Sequence, residues 1–385
     1  MERAIWRAPR LKISIAATNP CHLWPLAREL AGAGRLACYY SGYPVWKLQP
    51  PEGMNVRTHS LRTNVVYALL KFAPEHLRPS SRKLFLWQDH GFDRWVGEHL
   101  DPCEFIHAMP GQALVTFRGA KQMGMRTVLN HATGPTRDWV RIMEPEYRRA
   151  GLTLTEHSPY DASYFVREDE EYALADFHCV ASTVVRDQLI ARGIPSKRIW
   201  VVPYGADELT FNRGPGNQAA PQFRILFAGQ VCLRKGIKTL LDALTLAGQP
   251  DWHVDFCGAR LGEAETDIIA YRGRSPLHFH GPLPQSVLAD TMRRSSVLVL
   301  PSLEEGFGLV IPQALNCGLP CIVSDRVGGK DLIRQHENGS IFPVQNAEAL
   351  ARELQWWAAH RTRVSQTFGW TEAADRLIAL STAAR

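Results

Sequence analysis

An α/β fold of two doubly wound domains facing each other across a cleft is what this sequence predicts, on three observations. Short apolar runs rich in β-branched and aromatic residues alternate with stretches of helical spacing. These runs form two series, parted by the Gly/Pro-rich polar segment Gly214 to Pro221, of the kind that joins domains. At 385 residues the chain is also longer than one core usually serves.

The first series predicts strands over Ile13 to Ala17, Leu36 to Tyr40, Phe105 to Ala108, Thr127 to Asn130, Phe177 to Val180 and Ile199 to Val202. The second predicts Arg224 to Ala228, Val254 to Cys257, Leu277 to His280, Val297 to Leu300, Cys321 to Val323 and Ser340 to Phe342. The expected division is an N-terminal domain over 1–203, a C-terminal domain over 204–364, and a last helix over 365–385 that crosses back to the first domain. Ligands of such sheets sit outside the carboxyl ends of the strands, so two facing domains place a cleft between their strand ends.

Composition narrows the class. Hydrophobic residues are 45% and charged residues 21%, a folded-protein profile. No apolar run approaches the ~20 residues of a membrane span, and the most apolar stretch, Val65 to Leu70, stops at Lys71. Ile13 to Ala17 is too short for a signal core, so a cytoplasmic location is expected. Eight scattered cysteines without a C-x-x-C pair suit reduced thiols better than disulfides or a zinc site.

The net charge of +6 is uneven: residues 1–120 hold 15 Lys+Arg against 9 Asp+Glu, and the rest balance. No nucleic-acid-binding pattern accompanies the excess, which suits an anionic membrane surface better. Leu61, Val65, Val66, Leu69 and Leu70 share a helical stripe beside Arg62 and Lys71. That stripe reads first as a helix packed on the sheet, and second as an interfacial membrane helix.

Two segments carry the chemistry. In the first, a buried strand ends at Gly229 and a helix follows with Ile237, Leu240, Leu241 and Leu244 on one face. This puts Arg234 and Lys235 at a helix N-terminus, where the macrodipole disfavours cations unless an anion is present. Lys235 then supplies a point charge for phosphate, and Gly229 permits close backbone approach. A solvated basic turn is the plain alternative. In the second, a strand ends at Leu300, and Gly306, Phe307 and Gly308 lead into a helix opening near Leu309, a second anion site. Glu305 precedes that helix, and Gln313 leans back toward the same point. A carboxylate and an amide beside a diphosphate are what sugar hydroxyls require. The plain alternative makes Glu304 and Glu305 mere dipole-favouring charges.

These residues resemble glycosyltransferase family 4, the retaining, group 1 type of glycosyltransferase with the GT-B fold of two Rossmann-like domains. The likeness runs through Val201 to Asp207, Gly229 to Gly236, His278 to Gln285, Pro301 to Leu315, and a C-terminal helix with Phe368 and Trp370. It implies a hexosyltransferase of bacterial surface polysaccharide, lipopolysaccharide or glycolipid synthesis, with UDP- or GDP-sugar as donor, a glycan or lipid-linked acceptor, no cofactor and no metal. Glu305 matches the Glu that holds the donor sugar, and Gln313 stands where the ribose-binding Glu is usual. Lys235 matches the diphosphate lysine, while Gln230 replaces its arginine partner and Arg234 is the candidate substitute. Gly229, Gly281, Leu283, Gly306, Phe307, Gly308 and Leu309 complete the implied donor site. The absence of any D-x-D sequence fits a metal-free site.

His107 and His131 end N-domain strands, and the resemblance implies a histidine on the donor sugar; His131 is the choice for it. His22 and Glu144, Glu146 and Glu156 are weaker candidates. The rival readings are a sugar-nucleotide epimerase of similar fold and a silent nucleotide-sugar-binding scaffold, the latter prompted by Gln230 and Gln313. The sequence argues against a dinucleotide oxidoreductase, since neither first strand leads into G-x-G-x-x-G.

Overall fold

The computed structural model describes residues 11–73, 81–154, 160–214 and 222–385. Two parallel sheets form the frame. The first runs β3-β2-β1-β4-β5-β6-β7, with β1 Ile13–Ala17, β2 Leu36–Ser41, β3 Val56–Thr58, β4 Phe105–Ala108, β5 Arg126–His131, β6 Phe177–Val180 and β7 Ile199–Val201. The second runs β10-β9-β8-β11-β12-β13, with β8 Arg224–Ala228, β9 His253–Cys257, β10 Leu277–Gly281, β11 Val297–Leu300, β12 Cys321–Ser324 and β13 Gly339–Phe342. Each central strand is buried on both faces, which is why it reads as a continuous apolar run.

Helices cover both faces of each sheet. In the second domain one core gathers Phe227, Leu240, Leu244, Val299 and Trp357, and the other gathers Leu226, Leu298, Leu300, Ile311 and Leu315. Alternate residues of β8 and β11 thus point to opposite cores, as strand geometry requires. The expected linker lies, beyond Gly214, outside the described residues. The last helix, Trp370–Ala383, buries Ala373, Ala374 and Leu377 in the first domain's core with Leu23, Leu26 and Leu30.

The domains are closed on each other. Ser182 Oγ donates to Gly306 O at 2.7 Å, and Asp331 accepts from Thr183 N and Oγ1 at 2.7 and 2.6 Å. From the helix Thr136–Arg149, the Arg149 guanidinium forks onto Asp267 at 2.9 and 2.8 Å. Met143 and Tyr147 of that helix share a buried cluster with Leu233 and Leu303 of the second domain. At the crossover Tyr204 stacks on His22 at 4.4 Å and on Trp370 at 5.7 Å. Among the described residues no helix is long and apolar enough to cross a membrane.

Candidate functional site

The strand ends of the second domain build the site. After β8, Gly229 takes φ +137°, and a Cβ there would stand 3.7 Å from Lys235 Cε, so Lys235 folds back over the strand end. Leu233–Lys235 is a single 3-10 turn, Gly236 turns the chain at φ +68°, and the helix starts at Ile237. Arg234 and Lys235 therefore precede the helix rather than open it, a correction to the sequence expectation. The turn is pinned to the loop after β11 by Leu303 N donating to Arg234 O at 2.9 Å.

That loop supplies the counter-ions. Lys235 Nζ donates to Glu305 Oε2, and Arg234 Nη1 donates to the same oxygen at 3.2 Å and to Glu304 O at 3.0 Å. Arg234 also stands 3.5 Å from the Glu304 carboxylate. Two cations and two carboxylates thus form a neutral quartet, with Glu305 and Lys235 side chains only 13% and 11% exposed. Burial pushes the Glu305 carboxyl up, but Lys235 and Arg234 together outweigh it and hold it below the usual range. Glu304, more deeply buried, is pushed up by burial against the pull of Arg234. Glu304 Oε1 also accepts from Gly134 N across the cleft at 3.4 Å. The conflict of cations near a helix start is therefore settled inside the protein, by Glu305.

Gly306 lies against the first domain so closely that a Cβ would fall 2.1 Å from Ala132 O. Phe307 buries its ring edge-on to Tyr204 at 5.1 Å, so only its main chain is available to a ligand. Gly308 turns at φ +87° and the short helix Val310–Asn316 follows. Leu309 and Gln313 line a cleft of about 740 Å³ whose opposite wall includes His22 and Arg28, with Gln285 and Trp370 at its sides. Gly281 turns at φ +69° beside open space, Leu283 is half-buried, and Gln230 is exposed.

His131 does not face this cleft. Its ring is buried at the end of β5, with Nε2 in a hydrogen bond to His178 Nδ1 at 3.0 Å, and burial holds its pKa well below the ordinary value. His107 is buried likewise, bonded to Asn130 at 2.8 Å. A strand-end position says nothing about which side of the sheet a ring takes, and both rings point into the packed interior. His22, the weaker sequence candidate, is the histidine that reaches the cleft wall, and burial pushes its pKa to about 3. Glu144 is tied to Arg148 on the exposed part of its helix, Glu146 is held at the domain contact by Arg149 and Gln345, and Glu156 lies outside the described residues. Sequence reasoning missed Trp370 and Gln285 as wall residues, because only the tertiary fold brings them to the cleft.

Two Rossmann-like sheets meeting at their strand ends define the GT-B class, and solved structures agree. The Anabaena protein HepE in complex with UDP-glucose superposes with a TM-score of 0.64 at 15% identity, over 98% of this chain and 100% of that one. The lipopolysaccharide outer core galactosyltransferase WaaB superposes with a TM-score of 0.63 at 15% identity, over 97% and 100%. Residues 210–368 match the family described as Glycosyl transferases group 1. A D-inositol 3-phosphate glycosyltransferase of Streptomyces griseus is 30% identical over 235 residues, 50% of this chain and 48% of that protein. A lipopolysaccharide 1,6-galactosyltransferase of Salmonella typhimurium is 30% identical over 184 residues, 44% and 48%. The chain thus spans about half the length of these curated relatives.

Proposed function

We propose that this protein is a retaining glycosyltransferase that moves a hexose from a UDP- or GDP-linked donor to a glycan or lipid-linked acceptor. The observation that carries the reading is the neutral quartet of Arg234, Lys235, Glu304 and Glu305 at the second domain's strand ends. An arriving diphosphate draws Lys235 and Arg234 to itself, which frees the Glu305 carboxylate to accept from sugar hydroxyls. Gln313, on the wall of the adjoining cleft, holds the ribose. Gly229, Gly281 and the Gly306 to Leu309 turn let backbone approach the nucleotide, with Leu283 and Gln230 at its margin.

The acceptor enters from the first domain. Its hydroxyl oxygen bonds to the sugar's anomeric carbon on the face the nucleotide leaves, the carbon–phosphate oxygen bond breaks, and the departing phosphate takes the hydroxyl proton. The protein contributes positioning and preorganised positive charge. The relatives support transfer over the epimerase reading, since those named above are transferases. Calorimetry with UDP, GDP, ADP and their sugars tests the donor site. One nucleoside diphosphate family should bind to the parent protein, and much more weakly to Lys235→Ala; equal binding to both would move the site elsewhere.

A further inference from the structure

The first domain carries a face that the cleft does not use. The helix Leu61–Phe72 fully buries only Thr63 and Val66. Leu61, Val65 and Phe72 fall on one stripe of it and are 68%, 38% and 75% exposed; of the five apolar residues read from the sequence, Val66 is buried, Leu69 and Leu70 are half-buried, and Leu61 and Val65 point outward. The patch extends to both neighbours. Tyr67 meets Tyr43 edge-on at 6.4 Å, next to the 70% exposed Trp46. The Arg62 guanidinium lies 4.5 Å from the Trp87 ring, on the helix Ser81–Glu98 that also exposes Phe85.

Cations sit on these rings rather than on carboxylates. Lys47 Nζ is 5.0 Å from the Trp46 ring and Lys71 Nζ 5.1 Å from Phe72. Among the described residues, neither these lysines nor Arg62 has an ion-pair partner. From Val45 to Trp87 the sequence has seven Lys and Arg against Glu52 and Glu75 alone. Lysine is depleted at the centres of protein interfaces, whereas lysines beside exposed apolar rings suit a bilayer, where stems lie among acyl chains and ammonium groups reach the headgroups. The helix Ser81–Glu98 also reaches the cleft side, where Gln88 Nε2 donates to Asn19 Oδ1 at 3.4 Å just past β1.

We propose that this face, centred on Trp46, Leu61, Val65, Phe72, Lys47 and Lys71, docks the protein on an anionic lipid surface. Docked in this way, the acceptor side of the cleft stands beside the bilayer, a consequence that rests on the glycosyl-transfer reading; the docking itself does not.

Co-sedimentation of the full chain with phosphatidylcholine vesicles, with and without phosphatidylglycerol and with no sugar nucleotide, is the test. Binding is expected only with phosphatidylglycerol, and weaker as salt is added. Each cation near such a surface contributes about fivefold, so Lys47→Gln/Lys71→Gln should lower partitioning by about twenty-five-fold. Leu61→Ser/Phe72→Ser should lower it through lost insertion. All four side chains are exposed, so the fold should survive. Lys197→Gln/Arg294→Gln, placed on other surfaces, should leave binding unchanged.

No binding to either vesicle, equal binding to both, or an equal loss in the control variant would overturn the proposal. So would self-association of the chain that Leu61→Ser/Phe72→Ser abolishes, which would assign the face to a second copy. Nucleotide binding without vesicle binding removes the docking alone; vesicle binding without nucleotide binding removes the transfer reading alone.

Discussion

Replacing Glu305 by Gln removes the one carboxylate on which Lys235 and Arg234 converge, while keeping its shape. Glu304 remains 3.5 Å from Arg234, so a neutral quartet becomes a trio with one surplus positive charge. Breaking a fully buried pair from one side costs about 3–5 kcal/mol. Here the partners keep some solvent contact and the amide oxygen still accepts a hydrogen bond, so about 1–3 kcal/mol is expected. At roughly 2–4 °C per kcal/mol for a domain of this size, Tm should fall by about 2–12 °C. A nucleoside diphosphate supplies the missing negative charge without having to displace Glu305. The variant should therefore bind the free diphosphate at least as tightly as the parent, and gain more Tm from it. Turnover should nevertheless fall by about ten- to hundredfold, the worth of a charge-assisted contact to the sugar. Thermal melts with and without UDP or GDP, beside single-turnover rates, measure all three effects. Diphosphate affinity that falls in step with turnover would refute the exchange of partners, and an unchanged Tm without nucleotide would refute the energetic role of the quartet.

Lys235→Ala should weaken diphosphate binding by about ten- to a hundredfold in calorimetry, since a charge-assisted phosphate contact is lost. Gln313→Leu should lose on the order of 1 kcal/mol in nucleotide affinity and Gln313→Glu should keep it or improve it; a 2′-deoxyribose nucleotide should narrow that gap. Gly306→Ala sets a Cβ 2.1 Å from Ala132 O and 2.7 Å from Thr133 Cα, both backbone atoms, so the domains must part. A cost of about 1–3 kcal/mol and a larger radius of gyration by small-angle scattering should follow, and neither changing would contradict the closed packing. Burial lowers His22 and His178 to about 3 and His107 to about 4 from an ordinary 6.5. The unfolded chain then binds more protons below 6.5, so these histidines remove stability as pH falls from 6.5 toward 4. Glu171, raised to about 7 by burial, opposes this over part of that range. A Tm that does not fall between pH 6.5 and 4.5 would show that the histidines do not govern acid stability.

The local pattern made most of the frame legible. Strand β8 is bounded by Arg224 and Ala228 as its apolar run suggests, and β12 extends its run by Ser324 alone. The strand that escaped notice, β3, is the three residues Val56–Thr58 at a sheet edge, too short and too exposed to leave a period-two signal. Spacing in the chain singled out Gly229, Lys235 and Glu305, which the fold brings together, and Gln313, which lines the cleft. The site was illegible where partners come from afar. The Glu305 hold on Lys235 spans 70 residues, and the Ser182 bond to Gly306 spans 124. His131 shows the same limit in reverse: its strand was correctly read, but only the tertiary structure places His178 beside its ring.

Acceptor-dependent release of nucleoside diphosphate distinguishes sugar transfer from epimerisation and from silent binding. With UDP- or GDP-hexose and a panel of glycan and lipid-linked acceptors, the account predicts release only when donor and a fitting acceptor are both present. It also predicts that the sugar is joined to the acceptor with its anomeric configuration kept, and that Glu305→Gln sharply reduces the rate. Conversion of the donor sugar to an epimer without transfer, or transfer at an undiminished rate by Glu305→Gln, would contradict it.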